Sequence, residues 1–323
     1  MSSVQGGSEL LLWAVDPFAE NVETQIETAR AAQALAESRV YQVQPVYAVI
    51  DPLPNLDVGF KDELYRELRR KAQVQLNRML RDVPFRDLLP LAILESPDRS
   101  VGVQVETVLT YANEMKARLI VSSTNARKGP VRWLVGSFAE TLSLKSRVPI
   151  FLVNPHSKQE VRFKVILFPT DFSDQSHRAF TDVVLFAKSM GSQIRLFHKF
   201  GFEFVPGWDL GMTEAALFSY SGKDELREFH LKAMIWEKEA AQRGVQVTLE
   251  IDEKSKDSVV DAILFRAAQG ADLIAMAGES TSFEAGLLGS IARRVIREAL
   301  TPIWILHPGR DAGSDSMEVR SAS

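Results

Sequence analysis

Residues 132–145 read RWLVGSFAETLSLK and residues 285–298 read AGLLGSIARRVIRE. Each sets a Gly-Ser pair, Gly136-Ser137 and Gly289-Ser290, between an apolar run and a helical pattern. A helix N-terminus presents unpaired backbone N–H groups and the positive end of the helix dipole, which together favour an anion. Glycine lets backbone approach closely, and a serine hydroxyl adds a donor. The chemistry suited to such a pair is phosphate binding. Two aspartates recur in the same way: LLLWAVD ends at Asp16 and VILFPTD ends at Asp171. An aspartate closing a buried strand could meet a ribose hydroxyl while the Gly-Ser end holds phosphates. The plainer reading stands beside it. Serine at a helix start is commonly an N-cap, and a strand-ending aspartate commonly organises a turn.

These residues recur because the chain contains itself twice. Asp16 and Asp171 are offset by 155 residues, RLIVSS and DLIAMA by 154, and the Gly-Ser pairs and Pro149/Pro302 by 153. VPIFLVNP and TPIWILHP close the two copies. The period is far too long for a solenoid unit, so each copy is a domain. The expected boundaries are 8–155 and 162–308, with a polar linker at about 154–162 and a tail over 309–323 that has little to bury.

Within the first copy, ELLLWAV reads as a buried strand. Val22, Ile26, Ala29, Ala32 and Ala36 mark an amphipathic helix. YQVQPVYAVI reads as a strand whose interior Pro45 is awkward, followed by a charged helix over about 60–82 and a strand near LPLAIL. Val101, Val105, Val108, Ala112 and Met115 mark a further helix before RLIVSS. The second copy repeats the order. Phe180, Val183, Ala187 and Met190 mark its first helix, and later helices fall at 223–243 and about 257–269. Strand-helix alternation implies an α/β fold of two doubly wound, parallel five-stranded sheets. Ligands in such sheets bind beyond the strand carboxyl ends where strand order reverses. If the first and fourth strands flank that point, Asp16 lies beside Ser123 and Asp171 beside Ala277. VPIFLV and PIWIL are too apolar for exposed edges, so the two copies are expected to pair through them.

FPTDFS, DLIAMAGES…LLGSIARRVI…TPIWILHP and RLIVSSTNARKGPVRWLVGSFAETLSLKSRVPIFLVNP resemble the universal stress protein family, across nearly all of both copies. The chain looks like a tandem member. The resemblance implies an adenine-nucleotide alpha hydrolase-like sheet order of 3-2-1-4-5, pairing through the last strands, a stress-related regulatory role and, in one branch, ATP binding. That branch carries Gly-x2-Gly-x9-Gly-Ser/Thr after the fourth strand. The first copy reads Ser123-x2-Ala126-x9-Gly136-Ser137, with two glycines lost. The second reads Ala277-x2-Ser280-x8-Gly289-Ser290, one residue shorter, with Gly278 displaced by one. Side chains where bare backbone should touch phosphate obstruct approach. Charge separates the copies too. Arg127, Lys128 and Arg132 lie before Gly136, whereas Glu279 and Glu284 lie before Gly289. The first loop should attract a polyphosphate and the second repel it.

Composition sets the outer bounds. The 323 residues are 46% hydrophobic and 25% charged, with a formal charge of −4 that gives no reason to expect a nucleic-acid partner. Cysteine is absent, no apolar run is long enough to span a membrane, and no signal peptide is recognisable, so a cytoplasmic location is expected. His156, His177, His198, His230 and His307 show no metal-ligand spacing. Neither Gly-Ser segment is a nucleophile elbow, and there is no P-loop lysine. The segment 199–222 carries Phe200, Phe202, Phe204, Trp208, Phe218 and Tyr220, either packed over the second site's mouth or serving as a lid or partner surface. The expected function is non-enzymatic: a stress-response regulator that binds an unidentified protein partner, with eroded nucleotide sites, no required cofactor and a possible homodimeric state. The alternatives are an ATP or AMP sensor using one site and a slow nucleotide hydrolase.

Overall fold

The computed structural model describes residues 9–38, 41–50, 58–98, 100–124, 137–154, 163–200, 214–253, 255, 257–278 and 289–307. The first half runs β1 (Glu9–Ala14), α1 (Val22–Ser38), β2 (Tyr41–Ile50), α2 (Val58–Met79), β3 (Ala92–Ser96), α3 (Val101–Glu114), β4 (Leu119–Ser123), α4 (Ser137–Lys145) and β5 (Ile150–Val153). The second runs β6 (Val165–Pro169), α5 (Asp174–Met190), β7 (Gln193–Lys199), α6 (Glu214–Gln242), β8 (Val247–Asp252), α7 (Val259–Ala268), β9 (Leu273–Ala277), α8 (Ser290–Glu298) and β10 (Ile303–Leu306).

The strands form one sheet ordered β3-β2-β1-β4-β5-β10-β9-β6-β7-β8. Each half therefore has the expected order 3-2-1-4-5. Pairing is parallel inside each half, and antiparallel only where β5 meets β10, with Ile303 opposite Leu152 and Ile305 opposite Ile150. The two expected sheets are thus one continuous ten-stranded sheet. Ile150, Phe151, Leu152, Ile303 and Ile305 are almost wholly buried, because both faces of these strands are covered by helices.

Alternation along each strand divides the apolar residues between two cores. Leu11, Trp13, Ile166, Phe168, Ala233 and Trp236 belong to one, on the side of α1, α2, α5 and α6. Leu12, Ile120, Ile150, Leu167, Phe197 and Ile305 belong to the other, on the side of α3, α4, α7 and α8. Each core runs through both halves.

Local signals set the helix ends. Ser100, Ser173 and Ser258 are N-caps whose hydroxyls accept from Val103, Ser176 and Asp261 backbone N–H groups. Gly191 ends α5 with φ 62°, a left-handed conformation that glycine adopts without penalty.

Pro45 is accommodated inside β2. Val43 donates to Asp87 and accepts from Leu89, so its backbone faces the β3 side. Pro45, two residues on, faces the same way. The β3 ladder begins only at Val46↔Ala92, so the missing N–H falls in a gap.

Two helical faces differ from the periodicity. Val22 and Met115 are exposed, while Thr24, Gln25 and Thr28 are buried. The long helix of the second half begins at Glu214, nine residues before the expected start.

Candidate functional site

The switch point of the first half opens into a cavity of about 170 Å³ at the carboxyl ends of β1, β2 and β4. Val46, Ala48 and Val108 supply apolar wall, and Asp16, Gln25, Tyr47, Gln104, Ser122 and Ser123 supply polar groups. Asp16 and Ser123 come together as expected. The residue joining them is Gln25, buried on α1. Its Oε1 accepts from the Asp16 N–H at 3.3 Å, and its Nε2 donates to Ser123 Oγ at 3.3 Å. Sequence reasoning missed Gln25, because a polar residue between Thr24 and Ile26 lies off the apolar stripe and carries no periodic signal.

Asp16 also organises its own turn, with Oδ1 accepting from the Phe18 N–H at 3.0 Å. Burial pushes its carboxyl above the ordinary range, and the Phe18 hydrogen bond offsets this only in part. Burial, with the Asp16 charge beside it, pushes the Tyr47 phenol up to about 12. Phe18 packs edge-on against Tyr47 at 5.9 Å. The described lining has hydrogen-bonding groups for a sugar or base edge and no cation for a phosphate. Ala126, Arg127, Lys128 and Gly136, where a phosphate contact was expected, lie outside the described residues. Ser137 is the exposed first residue of α4.

The second half is built differently at matched positions. Ala14 pairs with Val46 and Ser122, while its counterpart Pro169 pairs with Phe197. The ladder Leu12↔Ile120 corresponds to Leu167↔Ile274, which makes Met276 the counterpart of Ser122. Val46, Ala48 and Ser122 thus become Phe197, Lys199 and Met276. Phe197 is 1% exposed and Met276 6%. Lys199 is buried as well; its Nζ donates to the Ser255 carbonyl at 2.6 Å and lies 3.5 Å from Asp252 Oδ2. The Arg266 guanidinium sits over the Phe197 ring, 5.7 Å from its centroid. Large side chains occupy the places of small ones.

Asp171 and Ala277 lie at adjoining strand ends, as expected, but Asp171 is turned to its own loop. Its Oδ1 accepts from the Ser173 N–H at 3.0 Å and from Ser176 Oγ at 2.6 Å. Burial raises its pKa, yet the Ser176 and Ser173 hydrogen bonds outweigh burial and hold it below the ordinary value. Next to it Phe172 has φ 56°, costing about 1–2 kcal/mol for a residue with a Cβ. The ring it positions packs on His198, Phe229 and Trp236 at 5.1–5.7 Å. Burial pulls the His198 pKa down, despite the Thr170 carbonyl 2.7 Å from Nδ1 and the Asp171 and Glu225 charges.

Gly278, displaced by one from the glycine of the nucleotide-binding pattern, faces His307. A Cβ there would lie 2.7 Å from His307 Nδ1, and the Gly278 N–H donates to the Leu306 carbonyl at 2.6 Å. Its carbonyl accepts from Gln175 Nε2. Gly289 is the N-cap of α8, with φ −55° and no side-chain cap bond, and Ser290 is the first helical residue. Ser290 therefore does not serve as the cap. Ser280, like Glu279, Glu284 and most of the aromatic segment 199–222, lies outside the described residues; Phe200 packs on Phe229 at 6.2 Å.

Among the described residues no group of three or more His, Asp or Glu is arranged to hold a metal, and no helix is long and apolar enough to cross a membrane. No curated protein matches the chain. Solved structures do. The chain is similar to a universal stress protein from Archaeoglobus fulgidus DSM 4304, at 17% identity and TM-score 0.64, over 94% of this chain and 100% of that one. It is also similar to a functionally unknown protein from Pseudomonas aeruginosa PAO1, at 13% identity and TM-score 0.61, over 94% and 93%. These likenesses establish a shared fold along nearly the whole chain. A universal stress protein solved in complex with cAMP is similar over 46% of this chain and 99% of its own, at 19% identity and TM-score 0.33. At the level of sequence, residues 162–307, which hold the whole of β6 to β10, match the model of the Universal stress protein family.

Proposed function

We propose that the chain is a tandem universal stress protein that regulates by binding rather than catalysis. Only its first half keeps a cleft open to part of an adenine nucleotide, its base or its ribose. The observation that carries this reading is the exchange of Val46, Ala48 and Ser122 for Phe197, Lys199 and Met276 at matched ladder positions. Asp16, Ser122 and Ser123 offer hydrogen bonds to a base or ribose, within a cavity smaller than the roughly 300 Å³ at which drug-sized sites begin. Ser123 and Ala126 replace glycines in the phosphate-binding pattern, so affinity is micromolar or weaker. No evident base argues for hydrolysis.

Calorimetry of the full chain with ATP and AMP tests the reading. The expected result is one weak site per chain, abolished by Val46→Phe and unchanged by Phe197→Leu. Submicromolar affinity, two sites, no heat at all, or indifference to Val46→Phe would each overturn it.

A further inference from the structure

We propose that α6 is a self-association surface, which pairs antiparallel with α6 of a second copy of this chain about a twofold axis beside Ala233. Leu231, Met234 and Ile235 lie on one face of α6 and are 55%, 63% and 56% exposed. Ala233, Trp236 and Ala240 on the opposite face are buried in the core. The helix is amphipathic inward, so the outer apolar group is additional to what the fold requires.

The fold supplies its own control. α2 follows the second strand of the first half as α6 follows that of the second, and packs into the same core through Ala72, Leu76 and Met79. Among its described side chains the exposed ones are charged or polar, including Asp62, Arg66, Arg70 and Arg78, with Val74 the one apolar member. The same structural position thus carries a solvated face in one half and an apolar group in the other.

Charge complementarity selects the occupant and its register. In an isologous antiparallel pair, residues equidistant from the axis meet. With the axis at Ala233, Leu231 faces the second copy's Ile235. Glu228, which pairs with Lys232 of its own helix at 2.8 Å, keeps its second carboxylate oxygen for the second copy's Lys238, and the same contact repeats on the other side of the axis. Moving the axis half a residue, to between Lys232 and Ala233, would set Arg227 against Lys238 and Glu228 against Glu237. One register is attractive and its neighbour repulsive, which is how charged flanks specify a pairing. The apolar seam is short beside a standard interface of roughly 800 Å² per partner, so the dimer is weak and forms on concentration.

Sedimentation velocity of the full chain over a wide concentration range reads the proposal. The expected mass rises from one chain to two. Met234→Glu with Ile235→Glu holds it at one. Glu228→Lys and Lys238→Glu each weaken association tenfold or more, and the two together restore it. The chain has no cysteine, so single-cysteine variants report geometry cleanly. Met234→Cys should form a disulfide-linked dimer on mild oxidation. Gln242→Cys should not, since the two cysteines would lie about 27 Å apart along the helix direction. A single-chain mass at every concentration, a dimer indifferent to these substitutions, or equal cross-linking at 242 would overturn it.

Discussion

His307 illustrates what a single side chain does at the end of β10. Burial drives its pKa down to about 4 from 6.5, and its Nε2 has no hydrogen-bond partner among the described residues. Its charged form is therefore penalised in the fold and free in the unfolded chain. With the folded pKa depressed, the stability tied to the neutral ring is fully present above pH 6.5 and is lost as pH falls through 4. That difference corresponds to about 3 kcal/mol. Equilibrium denaturation between pH 7 and 4 should show the loss, and His307→Gln should flatten the slope. An unchanged slope in the variant would refute this role. The Asp16 and Asp171 carboxyls, equivalent in sequence, shift in opposite directions, because Asp171 receives a hydroxyl at 2.6 Å and Asp16 does not.

At the scale of elements, the ends of β9 and β10 are fitted to each other through Gly278. Gly278→Ala should cost about 1–3 kcal/mol by crowding His307 and the Leu306 carbonyl. Most of that cost should vanish in a His307→Ala background, a double-mutant cycle that thermal melts can read. A full penalty in both backgrounds would place the clash elsewhere. The element order was legible in the sequence because each apolar run appears twice in the same succession. The buried face of α1 was not. Thr24, Gln25 and Thr28 turn inward because that helix passes the cleft, where polar groups find partners or each other. In the second copy the sequence draws attention to the glycine loop, where Ala277 and Ser280 stand in place of glycines. The larger residues at matched strand positions were not legible there, because Phe197 and Met276 look like ordinary core until the ladders are superposed. Pro45 raised a doubt that only the late start of β3 removes.

For the whole molecule, the join between halves is a strand pair inside a continuous core. Ile305 is fully buried opposite Ile150. Arg297 of α8 bonds Glu140 of α4 across the join, and Asn154 Nδ2 donates to the Ala299 carbonyl at 2.7 Å. Because both cores run through both halves, denaturant should unfold the chain in one cooperative transition. Ile305→Asp should cost more than about 4 kcal/mol and separate that transition into two. Two transitions in the unmodified chain would show the halves to be independent.

The antiparallel contact of β5 with β10 reverses the direction of every strand beyond it. Carboxyl ends of the first five strands and of the last five therefore emerge at opposite rims of the sheet. The two switch points are separated by four strand spacings, about 19 Å sideways, and by the strand length besides. A molecule resting at one rim has no line of sight to the other, and a body that covers one leaves the other open to water. Any message between them must travel through the woven middle of the sheet.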